Sequence, residues 1–399
     1  MKFHKTLIQA VADTLRQIFA EGVYADKAVE QALKSNSRFG SRDRRFIAET
    51  TYEMVRWWRL IGKAAGSENG AVTDFYTLVG VWLIIKEEEL PDWPEFSSID
   101  KAEVMKKYRA AAEIRKYRES VPDWLDELGS KELGEESWTK ELHALNEEAK
   151  VVLRVNTIKT TSIQLQRLLR EQLIETSVTG DYKDALILFK RQNLQHLSEY
   201  KQGLFEIQDA SSQLIAPFME LKENMTVVDA CAGAGGKSLH MAAMMHNKGK
   251  IISMDVEERK LIELKKRAER GGVNIIQTQL INSSTLSKLK NSADRLLLDV
   301  PCSGLGVIRR NPDAKWKLRP EFIEEVKKTQ QEIISNYSQM VKPGGIMVYA
   351  TCSILPAEND QQVKSFLEKN TEFHLLEDRK IMPSEGFDGF YMAKLKRGN

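Results

Sequence analysis

Apolar residues recur at helical spacing through the first ~120 residues: Ile8, Val11, Leu15 and Ile18–Phe19, then Val29, Ala32 and Leu33. Beyond Ser41, the segment Arg42–Leu60 alternates Phe46, Ile47, Tyr52, Val55 and Trp58 with charged positions, which predicts another helix and puts Tyr52, Trp57 and Trp58 in the core. The stretch Lys86–Phe96 carries two prolines and five acids and reads as a surface loop. From Ser120 to Phe218 the pattern is mixed. LRVNTIK (Leu153–Lys159) and Ala185–Phe189 read as strands, with a helix over Ile163–Glu171. After Ser212 short apolar runs alternate with helical stretches: Val227–Asp229, Ile251–Asp255, Leu296–Asp299 and Ile346–Thr351. Such alternation predicts parallel βαβ units in a doubly wound, Rossmann-like α/β sheet. The expected domains are an all-helical one over 1–119, a small α/β module over 120–215 and the Rossmann-like domain over 216–399.

In sheets of this kind ligands lie beyond the carboxyl ends of the strands. Those ends hold Asp229, Asp255, Asp299 and Cys352. VVDACAGAGGKSLHMAA (Val227–Ala243) places Cys231, Ala232, Gly233, Ala234, Gly235, Gly236 and Lys237 between a strand and a helix, where backbone N–H groups can face an anionic ligand. A Walker loop would need glycine at Cys231, and a GxGxxG loop would need it at Ser238, so neither ATP nor NAD fits. A glycine loop for a carboxylate, with Asp255 one strand later for ribose hydroxyls, describes S-adenosyl-L-methionine.

Composition removes other classes. The 59 basic and 57 acidic residues nearly cancel, so a nucleic-acid surface requires local segregation of charge. Three cysteines without CxxC spacing exclude a disulfide framework and a structural zinc site, and the histidines show no metal-ligand spacing; no metal is expected. The apolar run Val79–Ile85 is too short to span a bilayer and the N-terminus has no signal-peptide core, which predicts a cytoplasmic protein without a membrane partner. Positive charge gathers at Arg309, Arg310, Lys315, Lys317 and Arg319 against Asp313, starting seven residues after Cys302, and a second group holds Arg38, Arg42, Arg44 and Arg45. The first group is expected to track an RNA backbone; for the second, RNA contact and a solvated helix face are both open.

DACAGAGGK, DVPCSGLGVIRRNPDAKW and YATCS followed by PAEN resemble the Sun/Fmu family of RNA cytosine-5 methyltransferases, as do LRVNTIK and FEIQDASSQL (Phe205–Leu214). The resemblance covers residues 120–399, and ADKAVEQAL with FGSRDRRFIAETTYEMVRW resembles the NusB-like helical RNA-binding domain that precedes this core in the bacterial 16S rRNA enzyme. It implies an enzyme that binds RNA, with Cys352 as the nucleophile, Cys302 assisting product release, Asp299 contacting the base and the cofactor, and Lys237 near the methionine carboxylate; a monomer is expected, though the resemblance does not fix the oligomeric state. Three departures stand out. The family's APGGK has lost its proline and gained a glycine. The acid expected near the adenine is replaced in LINSS by Asn282 or Ser283, and the acidic Lys86–Phe96 stretch is unexpected in a NusB-like domain. The resemblance implies methylation of ribosomal RNA; tRNA as substrate, or a non-catalytic RNA-binding assembly factor on the same fold, are the alternatives.

Overall fold

The computed structural model describes residues 3–67, 74–180, 182–282 and 284–399. It divides into two compact units, one of residues 1–147 with 308–320, the other of residues 148–307 with 321–399.

The first unit is helical. Its opening helix, Lys5–Phe19, buries Leu7, Ile8, Val11, Leu15 and Ile18, the positions that the apolar spacing selects. Trp58 stacks on Phe19 with ring centroids 3.7 Å apart, and Tyr52 and Trp57 pack half-buried against the same core. Lys86–Phe96 is loop as far as Trp93 and then a helical turn, Pro94–Phe96, that buries Phe96. The unit continues past residue 119 through the helices Asp123–Leu133 and Glu135–Asn146.

The unit is completed by a distant strap, residues 308–320. Asp313 accepts from the Ala25 N–H at 3.0 Å, Lys317 donates to the Val23 carbonyl at 2.7 Å, and the Trp316 indole donates to the Val55 carbonyl at 2.7 Å. Lys315 is buried, and its ammonium donates to the Arg56 carbonyl at 2.9 Å and to Asn146 Oδ1 at 3.0 Å. Arg56 in turn donates to the Arg309 carbonyl at 3.2 Å. For Arg309, Lys315 and Lys317 this corrects the expectation of a phosphate track. Arg309 and Lys315 lie inside, and the Lys315 and Lys317 ammonium groups are engaged by backbone carbonyls of the helical unit.

In the second unit β1 (Val152–Val155), β2 (Thr176–Thr179), β3 (Tyr182–Leu188) and β4 (Phe205–Ile207) form an antiparallel sheet in the order β2-β3-β1-β4. β1 ends earlier than LRVNTIK suggested. The Asn156 side chain turns the chain there, donating to the Gly203 and Gly271 carbonyls at 2.8 Å and accepting from the Ile158 N–H. The helix Ser162–Glu171 opens with a capping box between Thr161 and Gln164.

The larger sheet contains β5 (Thr226–Asp229), β6 (Lys250–Asp255), β7 (Ile276–Leu280), β8 (Ala293–Asp299), β9 (Val341–Thr351), β10 (Phe373–Ile381) and β11 (Phe390–Arg397). Their order is β10-β11-β9-β8-β5-β6-β7. β5 to β9 pair in parallel, and β11 runs antiparallel to both its neighbours. Successive residues feed opposite cores: Val228, Leu296, Leu298 and Tyr349 pack on one side, and Val227, Leu297, Val348 and Ala350 on the other. Both faces are covered, as a doubly wound sheet requires.

The buried Lys315 gives the helical unit a pH signature. Burial first, and the neighbouring Arg56 charge second, lower its pKa to about 7, while Glu119 acts in the opposite direction. The unfolded chain therefore binds the extra proton between about pH 7 and about pH 10, so the stability of this unit rises with pH across that window. Lys315→Met is expected to flatten this rise in thermal melts followed from pH 6.5 to 9.5; an unchanged slope would show that Lys315 titrates normally.

Candidate active site

The turn after β5 is shaped by two left-handed glycines, Gly233 (φ 54°) and Gly235 (φ 86°). At Gly235 a Cβ would lie 2.4 Å from Leu264 Cγ, so that position excludes a side chain on packing grounds as well. At Gly233 and Gly236 a Cβ would meet nothing within 4 Å, which leaves open space over the loop where the N–H groups of the helix Gly236–Met244 begin. Asp255, at the end of β6, accepts the Gly233 N–H at 2.9 Å on one oxygen and the Glu257 N–H at 2.9 Å on the other. Each oxygen keeps acceptor capacity for a second donor, such as a ribose hydroxyl. Loop and acid thus have the donors and acceptors with which S-adenosylmethionine could be held.

The loop is held from behind by groups that sequence reasoning did not single out. Arg267 donates to the Ala234 carbonyl at 2.8 Å and Arg154, from β1, donates to the Gly236 carbonyl, fixing two consecutive stretches of the turn. Arg154 also reaches Gln208 Oε1 at 2.5 Å, and Glu206 bridges Arg267 and Arg270 at 2.9 and 2.5 Å. The signal was available: Arg154 and Glu206 are single charges set among apolar residues in short strand runs, VLRV and FEI. A charge there must have a buried partner.

Asp299 ends β8 and forms a 2.6 Å ion pair with Lys237 Nζ. Burial opposes the lysine's charge, but attraction and hydrogen bonding from Asp299 hold its pKa above the ordinary value, with a further contribution from Cys352. Beneath them Asp229 is buried, accepts from Ser238 at 2.6 Å, and is pushed up to about 7 by that burial against the hydrogen bond. The Cys231 thiol is pushed well up, by burial and then by the charges of Asp299, Asp229 and Asp255, which disfavours its thiolate.

The two remaining cysteines meet. Cys302 Sγ and Cys352 Sγ are 3.2 Å apart, and both cysteines are free thiols. The Cys302 thiol stands well above its ordinary range, because it hydrogen-bonds Cys352 and because it is buried. The following loops are joined as well, with the Gly306 N–H donating to the Cys352 carbonyl at 2.9 Å.

The structure brings Gly233 to Asp255, Lys237 to Asp299 and Cys302 to Cys352, within one unit. Asn282 is different. Its Oδ1 accepts from Ser284 N, Ser284 Oγ and Thr285 Oγ1 at 2.9–3.1 Å, holding its own turn, and Ser283 lies outside the described residues. Arg44, Arg45, Arg309, Arg310, Lys315 and Lys317 belong to the helical unit. There Arg44 donates to the Phe39 carbonyl at 3.0 Å and Arg45 pairs with Glu49 at 2.7 Å. Among the described residues no group of acids, histidines and cysteines could hold a metal, and no helix is long and apolar enough to cross a membrane.

The sheet order, with one reversed strand, and the glycine loop at its centre define the fold of S-adenosylmethionine-dependent methyltransferases. A solved methyltransferase homologue from Pyrococcus horikoshii superposes with a TM-score of 0.64 at 24% identity, covering 72% of this chain and 99% of that one. The crystal structure of PH0851 covers 100% of both chains with a TM-score of 0.84 at 24% identity. Residues 216–396 match the family described as 16S rRNA methyltransferase RsmB/F, and residues 121–195 match the ferredoxin-like domain described for RsmF/B-like methyltransferases. Ribosomal RNA small subunit methyltransferase B of Vibrio cholerae is 34% identical over 287 residues, which are 69% of this chain and 65% of that protein's length. The chain belongs to the RsmB/F methyltransferase family, the Sun/Fmu group.

Asp255→Ala removes the acceptors at the end of β6 and frees the Gly233 N–H. Calorimetry is expected to show S-adenosylmethionine affinity reduced by roughly 1.5–3 kcal/mol for each charged hydrogen bond lost. Unchanged affinity in a folded variant would take Asp255 out of the site.

Proposed function

We propose that this chain methylates carbon 5 of a cytosine in 16S ribosomal RNA, with Cys352 as nucleophile and Cys302 as the group that releases the product. The observation that carries this reading is the pair of free thiols 3.2 Å apart, on loops that follow two adjacent parallel strands. The family match and the Vibrio relative support ribosomal RNA as the substrate.

Carbon 5 of cytosine is too weak a nucleophile to take a methyl group unaided. Addition of the Cys352 thiolate to carbon 6 turns the ring into an enamine whose carbon 5 is nucleophilic. Thiolate is favoured by nearby positive charge, and the Lys237 ammonium is within electrostatic reach of Cys352. Asp299, anchored by Lys237, faces the base edge near ring nitrogen 3 and the exocyclic amine. Bound S-adenosylmethionine supplies the electrophilic methyl group. The proton on carbon 5 must then leave as the bond from carbon 6 to Cys352 breaks, returning its electron pair to sulfur.

The coupling of the thiols orders these events. Contact with Cys352 is the first cause of the raised Cys302 pKa. Once Cys352 is bonded to carbon 6 it is a neutral thioether, so its part in raising the Cys302 pKa is relieved while burial still raises it. Cys302 is thus a thiol during addition and an available base during release. In the helical unit Arg44 and Arg45 are the phosphate contacts of this reading, and Arg309, Lys315 and Lys317 hold the strap.

Cys352→Ala is expected to abolish both methylation and the covalent protein–RNA species. Cys302→Ala is expected to form the adduct and release it roughly 10²–10⁴-fold more slowly, leaving a band that survives a denaturing gel. In the unaltered chain adduct lifetime shortens as pH rises, because release requires Cys302 to lose its proton. Bisulfite sequencing of 16S rRNA from a deletion strain checks the substrate. Accumulation of the adduct by Cys352→Ala in place of Cys302→Ala would overturn the assignment.

A further inference from the structure

Glu358 ends the helical turn Pro356–Glu358, six residues beyond Cys352, and is fully buried. Its carboxylate is surrounded by neutral donors. One oxygen accepts from the Ser303 and Ser353 hydroxyls, each at 2.5 Å. The other accepts from the Ser303 N–H at 2.7 Å and from Gln330 Nε2 at 3.1 Å. Ser303 is the residue after Cys302 and Ser353 the residue after Cys352, so a single carboxylate holds the neighbour of each sulfur. The two hydroxyl oxygens are themselves 3.1 Å apart. The turn that carries Glu358 is fixed independently: Tyr349 donates to the Glu358 carbonyl at 2.7 Å, and Asn359 accepts from Thr351 at 2.5 Å while donating to the Ser353 carbonyl at 2.9 Å. Gln330 also donates to the Pro301 carbonyl at 2.9 Å, which extends the anchor to the residue before Cys302. Burying a carboxylate is costly unless it is hydrogen-bonded, and four donors converge on this one.

We propose that Glu358 is a positioning residue that sets the separation of the two reactive sulfurs by tying both cysteine loops to one carboxylate. Its relevance to the reaction rests on the proposed roles of Cys302 and Cys352. The anchor acts on each loop separately, through Ser303 for the release group and through Ser353 for the nucleophile. Removing one arm therefore impairs one step and spares the other, which a general loss of packing would not do.

The test reads thiol separation without RNA. Phenylarsine oxide condenses with two neighbouring thiols, exchanging its arsenic–oxygen bond for two arsenic–sulfur bonds and releasing water. The full-length chain is expected to be captured rapidly, and Cys302→Ala and Cys352→Ala are expected to resist capture. Glu358→Ala is expected to slow capture at least roughly tenfold, in line with the sensitivity of reacting pairs to ångström displacements. Glu358→Gln is expected to keep most of it. Hydroxyls accept as well as donate, so the amide NH2 can face the two serines while its carbonyl keeps the Ser303 N–H and Gln330. Should Glu358→Ala fail to fold, Ser303→Ala and Ser353→Ala carry the test: each slows capture, the first prolongs the RNA adduct and the second delays its formation. Capture at the unaltered rate in both serine variants, or no capture of the unaltered chain, would overturn the proposal. Slowed capture in the variants of a chain that makes no 5-methylcytosine would defeat the functional reading and leave the anchor standing.

Discussion

The parallel pairing of β8 with both β5 and β9 is the constraint on which the rest depends. Its register sets Asp299 opposite Ala350 and Leu297 opposite Asp229, so β8 and β9 end within one residue of each other and β5 two residues before β8. Cys302 then lies three residues beyond one end of this register and Cys352 two beyond the other, an almost equal overhang that lets the sulfurs meet. A shift of one residue between β8 and β9 would turn every side chain of β8 to the opposite core and part the thiols. The apolar alternation that protects the register, with Leu296 and Leu298 on one face and Leu297 on the other, is therefore also what protects the chemistry.

On that frame three carboxylates near the site are each given hydrogen-bond partners. Asp255 is satisfied by backbone donors, Asp299 by Lys237, and Glu358 by hydroxyl, amide and backbone donors. The three carboxylates consequently do different work. Backbone donors leave Asp255 able to take further hydrogen bonds, an ion pair holds Asp299 at one geometry, and a closed shell of neutral donors makes Glu358 a structural pin. The small sheet contributes to the same end, because Arg154 and Glu206 stiffen the cofactor turn from its far side.

Much of the site was legible in the sequence because strand ends and glycine turns are written locally. An apolar run followed by an acid or a cysteine fixes both the element and the edge to which its last residue comes, which is how Asp255, Asp299, Cys302 and Cys352 were placed. What local reading missed depends on partners remote in the chain. The cluster Arg309, Lys315 and Lys317 has the composition of an exposed basic loop, but the two ammonium groups donate to the carbonyls of Arg56 and Val23, 259 and 294 residues earlier. Glu358 was within a quoted motif, yet its function follows only from the meeting of two serines fifty residues apart. β1 ended early for a related reason, since the acceptors of Asn156 belong to other segments.

The strap also bears on how the chain acquires its structure as it is made. An N-terminal domain ordinarily folds while later domains are still being synthesised. Here residues 1–147 emerge without Asp313, Lys315, Trp316 and Lys317, the groups that occupy the carbonyls of Val23, Val55 and Arg56 and the N–H of Ala25. Those groups reach the nascent helices only after the ribosome has passed Cys302. The helical unit is thus finished within the same interval as the centre of the catalytic sheet, and a ribosome stalled before residue 308 holds neither unit complete.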